Sequence, residues 1–210
     1  MDKDFWLTRW EQREIAFHGN EANPLLINNF EKLGLKEEST IFVPLCGKTL
    51  DIAWLLAKGH KIIGCELVET AIKELFEELN LIPKITELGT IKHYSYENLD
   101  IFVGDVFELT KEHLGKIDAI YDRAALVALP YDLRIKYTKH LIDITEKAPK
   151  LLVVYEYDQE KLDGPPFSIT DEEVKKHYEG IYTINCLSKN EVEGGLKGKC
   201  PTTENVWLIK

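Results

Sequence analysis

A short turn between two apolar segments constrains the fold of this chain more than any other feature. Residues 41–48 read Ile-Phe-Val-Pro-Leu-Cys-Gly-Lys, and residues 62–67 read Ile-Ile-Gly-Cys-Glu-Leu. This pattern predicts a strand, a tight turn, a helix and a second strand that ends at Glu66. In nucleotide-binding α/β sheets, an acidic residue about 20 positions after the turn glycine accepts hydrogen bonds from the ribose hydroxyls. Gly47 and Glu66 fit that arrangement.

The composition of the turn limits the kind of ligand. It holds a single glycine, Gly47, and no G-x-G-x-x-G pattern is present. A dinucleotide pyrophosphate packed on a helix N-terminus needs more glycine, because the backbone must come close to it. We therefore expect a nucleoside ligand without phosphates, of which S-adenosylmethionine is the common one. A nicotinamide-dependent oxidoreductase is the disfavoured alternative.

Size and charge exclude several classes of partner. The length of 210 residues suits one domain, so we expect residues 1–210 to form a single unit. A net charge of −10 without a basic stripe argues against nucleic acid and anionic membrane surfaces. The sequence has no apolar run of membrane-spanning length, no signal-peptide pattern and no C-x-x-C spacing among its four cysteines. A cytoplasmic protein with reduced thiols is expected.

Strand and helix patterns alternate along the chain. This alternation predicts an α/β fold with a Rossmann-like, mostly parallel sheet and helices on both faces. Glycines between residues 194 and 198 indicate a hairpin between the last two strands, and hence an antiparallel edge strand. The seven expected strands span residues 40–43, 61–66, 100–103, 117–121, 150–157, 182–188 and 205–209, and a hairpin strand at 91–96 leads into the third.

Acidic residues stand at, or within two residues of, the carboxyl ends of three of the predicted strands. Open α/β sheets bind ligands beyond the carboxyl ends of their strands. Glu66 is therefore a candidate for the ribose, although a solvated carboxylate at a strand end is the alternative. Asp105 either caps its own turn or, with the Val106 amide, contacts the adenine edge. Asp122 is a candidate proton acceptor, or it orients its neighbour Arg123.

Arg123 precedes the apolar stretch Ala-Ala-Leu-Val-Ala-Leu-Pro. An exposed arginine beside an aspartate usually forms a weak surface ion pair. This stretch is too apolar for an ordinary surface loop, so we expect Arg123 to lie under a cover. A guanidinium there is suited to hold the methionine carboxylate of the cofactor or an anionic substrate.

The aromatic N-terminus is a candidate cover for the cleft. An amphipathic helix is predicted over residues 4–18 and a second helix over 23–33. If residues 1–35 fold over the cleft as a lid, Trp10 would face the sulfonium and Phe17 the substrate. Packing into the core is the alternative. His18 is a weaker candidate for a general base, and the histidine spacing predicts no metal site.

Several blocks of the sequence together resemble the thiopurine S-methyltransferase family, within the class I S-adenosylmethionine-dependent methyltransferases. The resemblance covers nearly the whole chain and is closer to bacterial members than to animal ones. The Pro-Leu-Cys-Gly-Lys turn and the Asp-Arg-Ala-Ala-Leu-Val-Ala-Leu-Pro block are its most specific parts. The matching blocks are Phe5-Trp6, Arg9-Trp10, Phe17-His18, residues 44–48 with Asp51 and Trp54, Gly59-His60, residues 64–67, residues 122–130 and residues 164–168.

The resemblance implies a cofactor, a set of site residues and a reaction. It implies that Trp10, Leu45, Glu66 and Arg123 contact S-adenosylmethionine, that Asp105 and Val106 lie near adenine, and that Phe17, Pro165 and Pro166 line the substrate side. The implied reaction is in-line methyl transfer to an aromatic or heterocyclic thiol, with S-adenosylhomocysteine as product and no strong base required. Alternatives are methyl transfer to selenium, tellurium, arsenic or halide species, and a non-catalytic S-adenosylmethionine-binding protein. The partner is a small-molecule thiol or chalcogen compound, and a monomer is expected.

Overall fold

The computed structural model describes residues 3–15 and 18–210, and its centre is a nine-stranded sheet. Most of the strands are short and buried, as expected for the middle layer of an α/β protein. In chain order, the strands are β1 (Thr40–Pro44), β2 (Lys61–Glu66), β3 (Lys84–Leu88), β4 (Ile91–Tyr96), β5 (Leu99–Val103), β6 (Ala119–Arg123), β7 (Lys150–Tyr157), β8 (Ile184–Glu191) and β9 (Thr202–Ile209).

The order of the strands in the sheet is β3-β4-β5-β2-β1-β6-β7-β9-β8. The five central strands from β5 to β7 pair in parallel, while β9 runs antiparallel between β7 and β8. The predicted fold class, a mostly parallel α/β sheet with an antiparallel edge, is confirmed. The sheet has nine strands rather than seven, because the predicted hairpin strand at 91–96, which is β4, and the unpredicted β3 extend its other edge. The mostly exposed β3 carries little of the apolar pattern that marks a buried strand.

Helices cover both faces of the sheet, as predicted. Helices α2 to α4 pack on one face, and α5 to α7 pack on the other. The two faces therefore belong to separate apolar clusters divided by the sheet. In chain order, the helices are α1 (Lys3–Glu11), α2 (Pro24–Asn29), α3 (Asp51–Ala57), α4 (Glu69–Glu78), α5 (Lys111–Leu114), α6 (Tyr131–Ile144) and α7 (Asp171–Tyr178).

The N-terminal segment differs from its predicted form. Helix α1 ends at Glu11, not at residue 18, and Arg13 adopts the left-handed backbone conformation with φ 57°. Such a conformation cannot continue a right-handed helix. The second helix begins as predicted, because Asn23 Oδ1 accepts a 2.8 Å hydrogen bond from the Leu25 amide. A 3-10 turn then extends this helix to Leu33.

No helix among the described residues is long and apolar enough to cross a membrane.

Candidate active site

A cavity of about 380 Å³ lies at the carboxyl ends of the central strands. The chain segments that come after β1, β2 and β6 contribute to its wall, and residues of the N-terminal segment also line it. Six of the predicted site residues line it: Trp10, Leu45, Glu66, Arg123, Pro165 and Pro166.

Glu66 is the last residue of β2, and its buried carboxylate is held by backbone amides. The Gly47 amide donates to Oε2 at 2.8 Å, and the Val68 amide donates to Oε1 at 2.9 Å. Burial raises the pKa of the Glu66 carboxyl, and these backbone hydrogen bonds act in the opposite direction. Each oxygen accepts one backbone hydrogen bond and keeps a lone pair for a further donor. The carboxylate is thus fixed in place and can accept two ligand hydroxyls.

The turn after β1 has an unusual backbone. Leu45 and Gly47 both have positive φ angles, 47° and 52°. A left-handed conformation is costly for leucine and is typical of functional turns, where surrounding contacts enforce it. A Cβ atom on Gly47 would lie 3.3 Å from the Trp10 ring, so the indole packs closely against the turn backbone. Trp10 is only 5% exposed.

The start of α3 connects the N-terminal segment to the cavity wall. Asp51 Oδ1 accepts a 2.6 Å hydrogen bond from the Asn23 amide. Asp51 Oδ2 accepts a 2.9 Å hydrogen bond from the hydroxyl of Tyr121, which also lines the cavity. Burial raises the pKa of the Tyr121 phenol well above its usual range, so this hydroxyl stays a donor.

Salt bridges at the rim attach the N-terminal segment to α4. Arg13 lies 2.7 Å from a Glu74 carboxylate oxygen. Lys48, in the turn after β1, contacts Glu78 at 2.5 Å and Glu74 at 3.0 Å.

Burial lowers the pKa of His18, which also lines the cavity, and the charge of Lys48 acts in the same direction. His18 is therefore held toward its neutral form.

The side of the cavity beyond β6 is polar. Arg123, at the end of β6, is followed by Ala124 with a φ of 61°. Tyr155 on β7 and Glu204 on β9 line the same cavity. Burial raises the pKa of the Tyr155 phenol to about 12. Burial also raises the pKa of the Glu204 carboxyl, whereas the charge of Arg123 and the hydroxyl of Tyr155 favour its ionised form.

Asp122 does not line this cavity. Successive strand residues point to opposite faces, so Asp122 lies on the other side of the sheet from Arg123. Its fully buried carboxylate accepts hydrogen bonds from the Leu126 amide at 3.1 Å and the Tyr137 hydroxyl at 2.8 Å. Burial raises the pKa of Asp122, and the charge of Lys150 opposes that effect. These contacts fix the backbone turn after Arg123.

Asp105 and Val106 come after β5 and also lie outside the cavity lining. The Asp105 side chain accepts a 3.1 Å hydrogen bond from the Phe107 amide, which is the capping alternative raised by the sequence. Val106 is buried, and its carbonyl oxygen lies 2.8 Å from His140 Nε2. Their proximity to adenine stays a prediction. Phe17 lies outside the described residues.

The proline turn after β7 is fixed by its neighbours. The Tyr157 hydroxyl donates to the Pro166 carbonyl at 2.6 Å. Lys197, in the segment between β8 and β9, donates to the Pro165 carbonyl at 3.1 Å. Lys197 and both prolines line the cavity, so this contact joins two parts of its rim.

Sequence reasoning missed several residues of the cavity wall. The missed residues include Val153, Tyr155 and Glu204, which line the cavity. Val153 pairs with the predicted Arg123 of the adjacent strand, and Tyr155 pairs with Glu204. Two-residue alternation along β7 would have assigned Val153 and Tyr155 to one face. Within residues 3–15 and 18–210, no group of three or more His, Cys, Asp or Glu residues is arranged to hold a metal ion.

Comparison with known proteins agrees with this architecture. The sequence profile described as Thiopurine S-methyltransferase (TPMT) matches residues 1–207. A thiopurine S-methyltransferase of Xanthobacter autotrophicus is 47% identical over 211 residues, covering 100% of this chain and 99% of the relative. One of Teredinibacter turnerae is 47% identical over 209 residues, covering 100% of this chain and 97% of the relative.

Solved structures show the same fold at low sequence identity. The Burkholderia thailandensis 1,6-didemethyltoxoflavin-N1-methyltransferase, bound to 1,6-didemethyltoxoflavin and S-adenosylhomocysteine, aligns with a TM-score of 0.67 and 16% identity over 99% of this chain and 86% of that one. A Methanosarcina mazei S-adenosylmethionine-dependent methyltransferase aligns with a TM-score of 0.63 and 14% identity over 90% of this chain and 98% of that one. The fold is that of class I methyltransferases. With the profile and the full-length relatives, this establishes that the chain belongs to the thiopurine S-methyltransferase family and is an S-adenosylmethionine-dependent methyltransferase.

Proposed function

We propose that this enzyme transfers the methyl group of S-adenosylmethionine to the sulfur of aromatic or heteroaromatic thiols. The observation that carries the proposal is the division of one cavity into two ends. The Glu66 carboxylate and the Gly47 turn stand where β2 and β1 end, and we call this the first end of the cavity. Arg123 and the proline turn follow β6 and β7, the next strands along the sheet, and we call this the second end. A nucleoside cofactor suits the first end and a small aromatic anion suits the second.

The first end of the cavity fits the cofactor chemically. The Glu66 carboxylate, fixed by two amides, can accept hydrogen bonds from the two ribose hydroxyls. The close packing of Trp10 on Gly47 supplies an aromatic surface on which a sulfonium cation is favoured. Leu45, in the turn after β1, lines the same cavity. We propose that Asp105 and Val106 border the adenine from the neighbouring strand end.

The residues at the second end would hold and orient the methyl acceptor. When bound, S-adenosylmethionine supplies a methyl group on a sulfonium, open to in-line attack by a thiolate sulfur. Arg123 stabilises an anionic group next to it, either the acceptor thiolate or the cofactor carboxylate. The prolines at 165 and 166 form a rigid apolar wall, and we propose that Phe17 completes the substrate side. Orientation of this kind contributes up to ~7–11 kcal/mol to catalysis.

No general base is required in this proposal. Heteroaromatic thiols ionise near neutral pH, and their thiolates are strong nucleophiles. Asp122 faces away from the cavity and is held by the Leu126 amide and the Tyr137 hydroxyl. We assign it the role of positioning the turn after Arg123. Opposite charges are neutralised during the transfer, so a site that excludes water favours the transition state.

Exclusion of water is the role we propose for residues 1–35. Trp6, Arg9 and Trp10 line the cavity from α1, and the Arg13–Glu74 salt bridge attaches this segment to α4. Burial of the Trp10 ring supports a lid that is ordered over the cofactor end. The single-domain organisation, the monomeric state and the cytoplasmic location stay predictions.

The proposal is tested by incubating the enzyme with S-adenosylmethionine and 6-mercaptopurine and measuring the release of S-adenosylhomocysteine. The binding of S-adenosylhomocysteine is measured separately by calorimetry. Turnover above the rate without enzyme, with the methyl group recovered on sulfur, supports S-methylation. Tight binding of S-adenosylhomocysteine without turnover of any aromatic thiol would overturn the proposal of S-methylation. That result would favour inorganic methyl acceptors or a non-catalytic binding protein.

A further inference from the structure

Glu204 is a carboxylate in the cavity wall that the reaction, as proposed above, does not use. It lies on β9, where it pairs directly with Tyr155 of β7. Arg123 of β6 pairs with Val153, two residues before Tyr155. Because residues two apart on a strand share a face, Arg123, Tyr155 and Glu204 all project from the same side of the sheet. All three line the cavity.

The register separates Glu204 and Arg123 both across the sheet and along its strands. Glu204 and Arg123 are on strands with one strand between them, and strand spacing puts them roughly 9–10 Å apart across the sheet. They are also offset by two residues, about 7 Å along the strands. Both side chains are long enough to reach into the space between their strands. This placement suits a flat bicyclic ligand that has Arg123 toward one edge and Glu204 toward the other.

The Glu204 carboxylate is available to a ligand. It is half-buried, and burial raises its pKa while the charge of Arg123 and a hydrogen bond from the Tyr155 hydroxyl favour the ionised form. A carboxylate has about four lone-pair sites, so the Tyr155 hydroxyl leaves room for a further donor. An added N–H donor stabilises a partly desolvated carboxylate strongly.

We propose that Glu204 is a specificity-determining residue that accepts a hydrogen bond from a ring N–H of the methyl acceptor. This inference rests on the proposed thiol methylation and narrows its substrate class. The favoured acceptors are heteroaromatic thiols that carry an N–H on the ring edge away from the sulfur. An aromatic thiol without that donor would bury the Glu204 carboxylate without giving it a hydrogen bond. Such a thiol is therefore bound less tightly.

The test compares two thiols of similar shape. In 6-mercaptopurine an imidazole ring supplies an N–H, whereas quinazoline-4-thiol has a benzene ring in its place. The affinity of each thiol is measured by calorimetry on enzyme saturated with S-adenosylhomocysteine, so the readout does not depend on turnover. Glu204→Gln keeps the size of the side chain and removes its charge. Glu191→Gln, on the neighbouring strand β8 and exposed outside this cavity, is the matched control.

We expect the wild-type enzyme and Glu191→Gln to prefer 6-mercaptopurine roughly tenfold or more, as for hydrogen bonds to charged groups. Glu204→Gln should lose most of that preference, while its affinity for S-adenosylhomocysteine stays unchanged. Equal weakening of both thiols, or no change in either, would overturn the role of Glu204. Failure of the proposed function is distinct, because it would leave this binding preference intact without any methyl transfer.

Discussion

The Gly47 amide donates a 2.8 Å hydrogen bond to Glu66 Oε2, and this contact joins the end of β1 to the end of β2. The second oxygen of the same carboxylate accepts from the Val68 amide. Glu66 therefore has a structural role in addition to the proposed contact with ribose. Two backbone amides keep its carboxylate in one orientation before any ligand arrives, which lowers the entropic cost of binding.

Replacement of Glu66 should weaken binding of the cofactor more than it slows methyl transfer. We expect Glu66→Ala to raise the dissociation constant of S-adenosylhomocysteine by about 10–100-fold, because hydrogen bonds to a charged acceptor contribute about 1.5–3 kcal/mol. Calorimetric titration measures this directly. Glu37→Ala removes an exposed carboxylate outside the cavity and serves as the control. Unchanged affinity in Glu66→Ala would remove the ribose assignment.

A methyl group on Gly47 should disturb the cofactor end through two effects. The φ of 52° is unfavourable for alanine by about 1–2 kcal/mol, and the new Cβ would lie 3.3 Å from the Trp10 ring. Gly34→Ala is the matched control, because Gly34 is also left-handed and its Cβ would have only ordinary contact, 3.9 Å from Lys210 Nζ.

Both glycine variants should unfold at lower urea concentration than the wild type. Only Gly47→Ala should also weaken S-adenosylhomocysteine binding, since only there does the added atom press on Trp10. Equal cofactor affinity in the two variants would show that the Trp10 contact has no part in binding.

The cavity residues that the sequence predicts most directly lie at the carboxyl ends of strands. Glu66 and Arg123 stand where parallel strands end, and the carboxyl ends of parallel strands meet at one edge of the sheet. The residues at the carboxyl end of each predicted strand are therefore enough to find them. The sequence places Asp122 at a strand end because the predicted strand stops at residue 121, whereas β6 continues to Arg123. Strand alternation then turns Asp122 away from the cavity.

Inspection of strand carboxyl ends does not find Glu204, because β9 runs antiparallel to β7. An antiparallel strand brings its amino-terminal end, not its carboxyl end, to the edge where the cavity lies. Residues near its start therefore face the ligand, and no strand-end pattern marks them. The strand β3 was missed for a different reason, since its residues are mostly exposed and lack an apolar period.

Loss of the Arg123 guanidinium should lower catalytic efficiency. Arg123→Ala removes charge-assisted hydrogen bonds to an anion, so kcat/KM for an aromatic thiol should fall about 10–100-fold. Arg123→Lys keeps the charge without the planar fork and should retain part of the activity. Steady-state kinetics with 6-mercaptopurine compare the three enzymes. Wild-type efficiency in Arg123→Ala would contradict a role at the reacting end.

The pH dependence of the rate should follow ionisation of the acceptor thiol and not ionisation of a group on the enzyme. Without a general base, the apparent pKa of kcat/KM should track the thiol pKa across a series of aromatic thiols. The buried, hydrogen-bonded carboxylate of Asp122 predicts that Asp122→Asn leaves this pH profile in place while lowering stability. A fixed apparent pKa that is independent of the thiol would instead point to a base on the enzyme, such as His18, which lines the cavity.

Lys150 is buried on the face of the sheet opposite the cavity, and it should make the stability of the protein depend on pH. Its ammonium lies 4.3 Å from the centre of the Tyr178 ring and, among the described residues, has no hydrogen-bond partner. Burial lowers the pKa of Lys150 from 10.5 to about 8, although the charge of Asp122 opposes this effect. The folded state therefore binds this proton less tightly than the unfolded chain, and the penalty is fully present below pH 8.

As pH rises between about 8 and 10.5, the unfolded state retains the proton longer, so the free energy of unfolding should increase. Between about pH 7.5 and 9.5 the linkage relation gives a gain of about 2 kcal/mol for a single group with these two pKa values. Urea denaturation of the wild type and Lys150→Met isolates this contribution, because other titrating groups are common to both. Lys175→Met, at an exposed site on α7, should follow the wild-type curve. If the curves of the wild type and Lys150→Met run parallel across this range, Lys150 does not titrate in the folded protein as its burial requires.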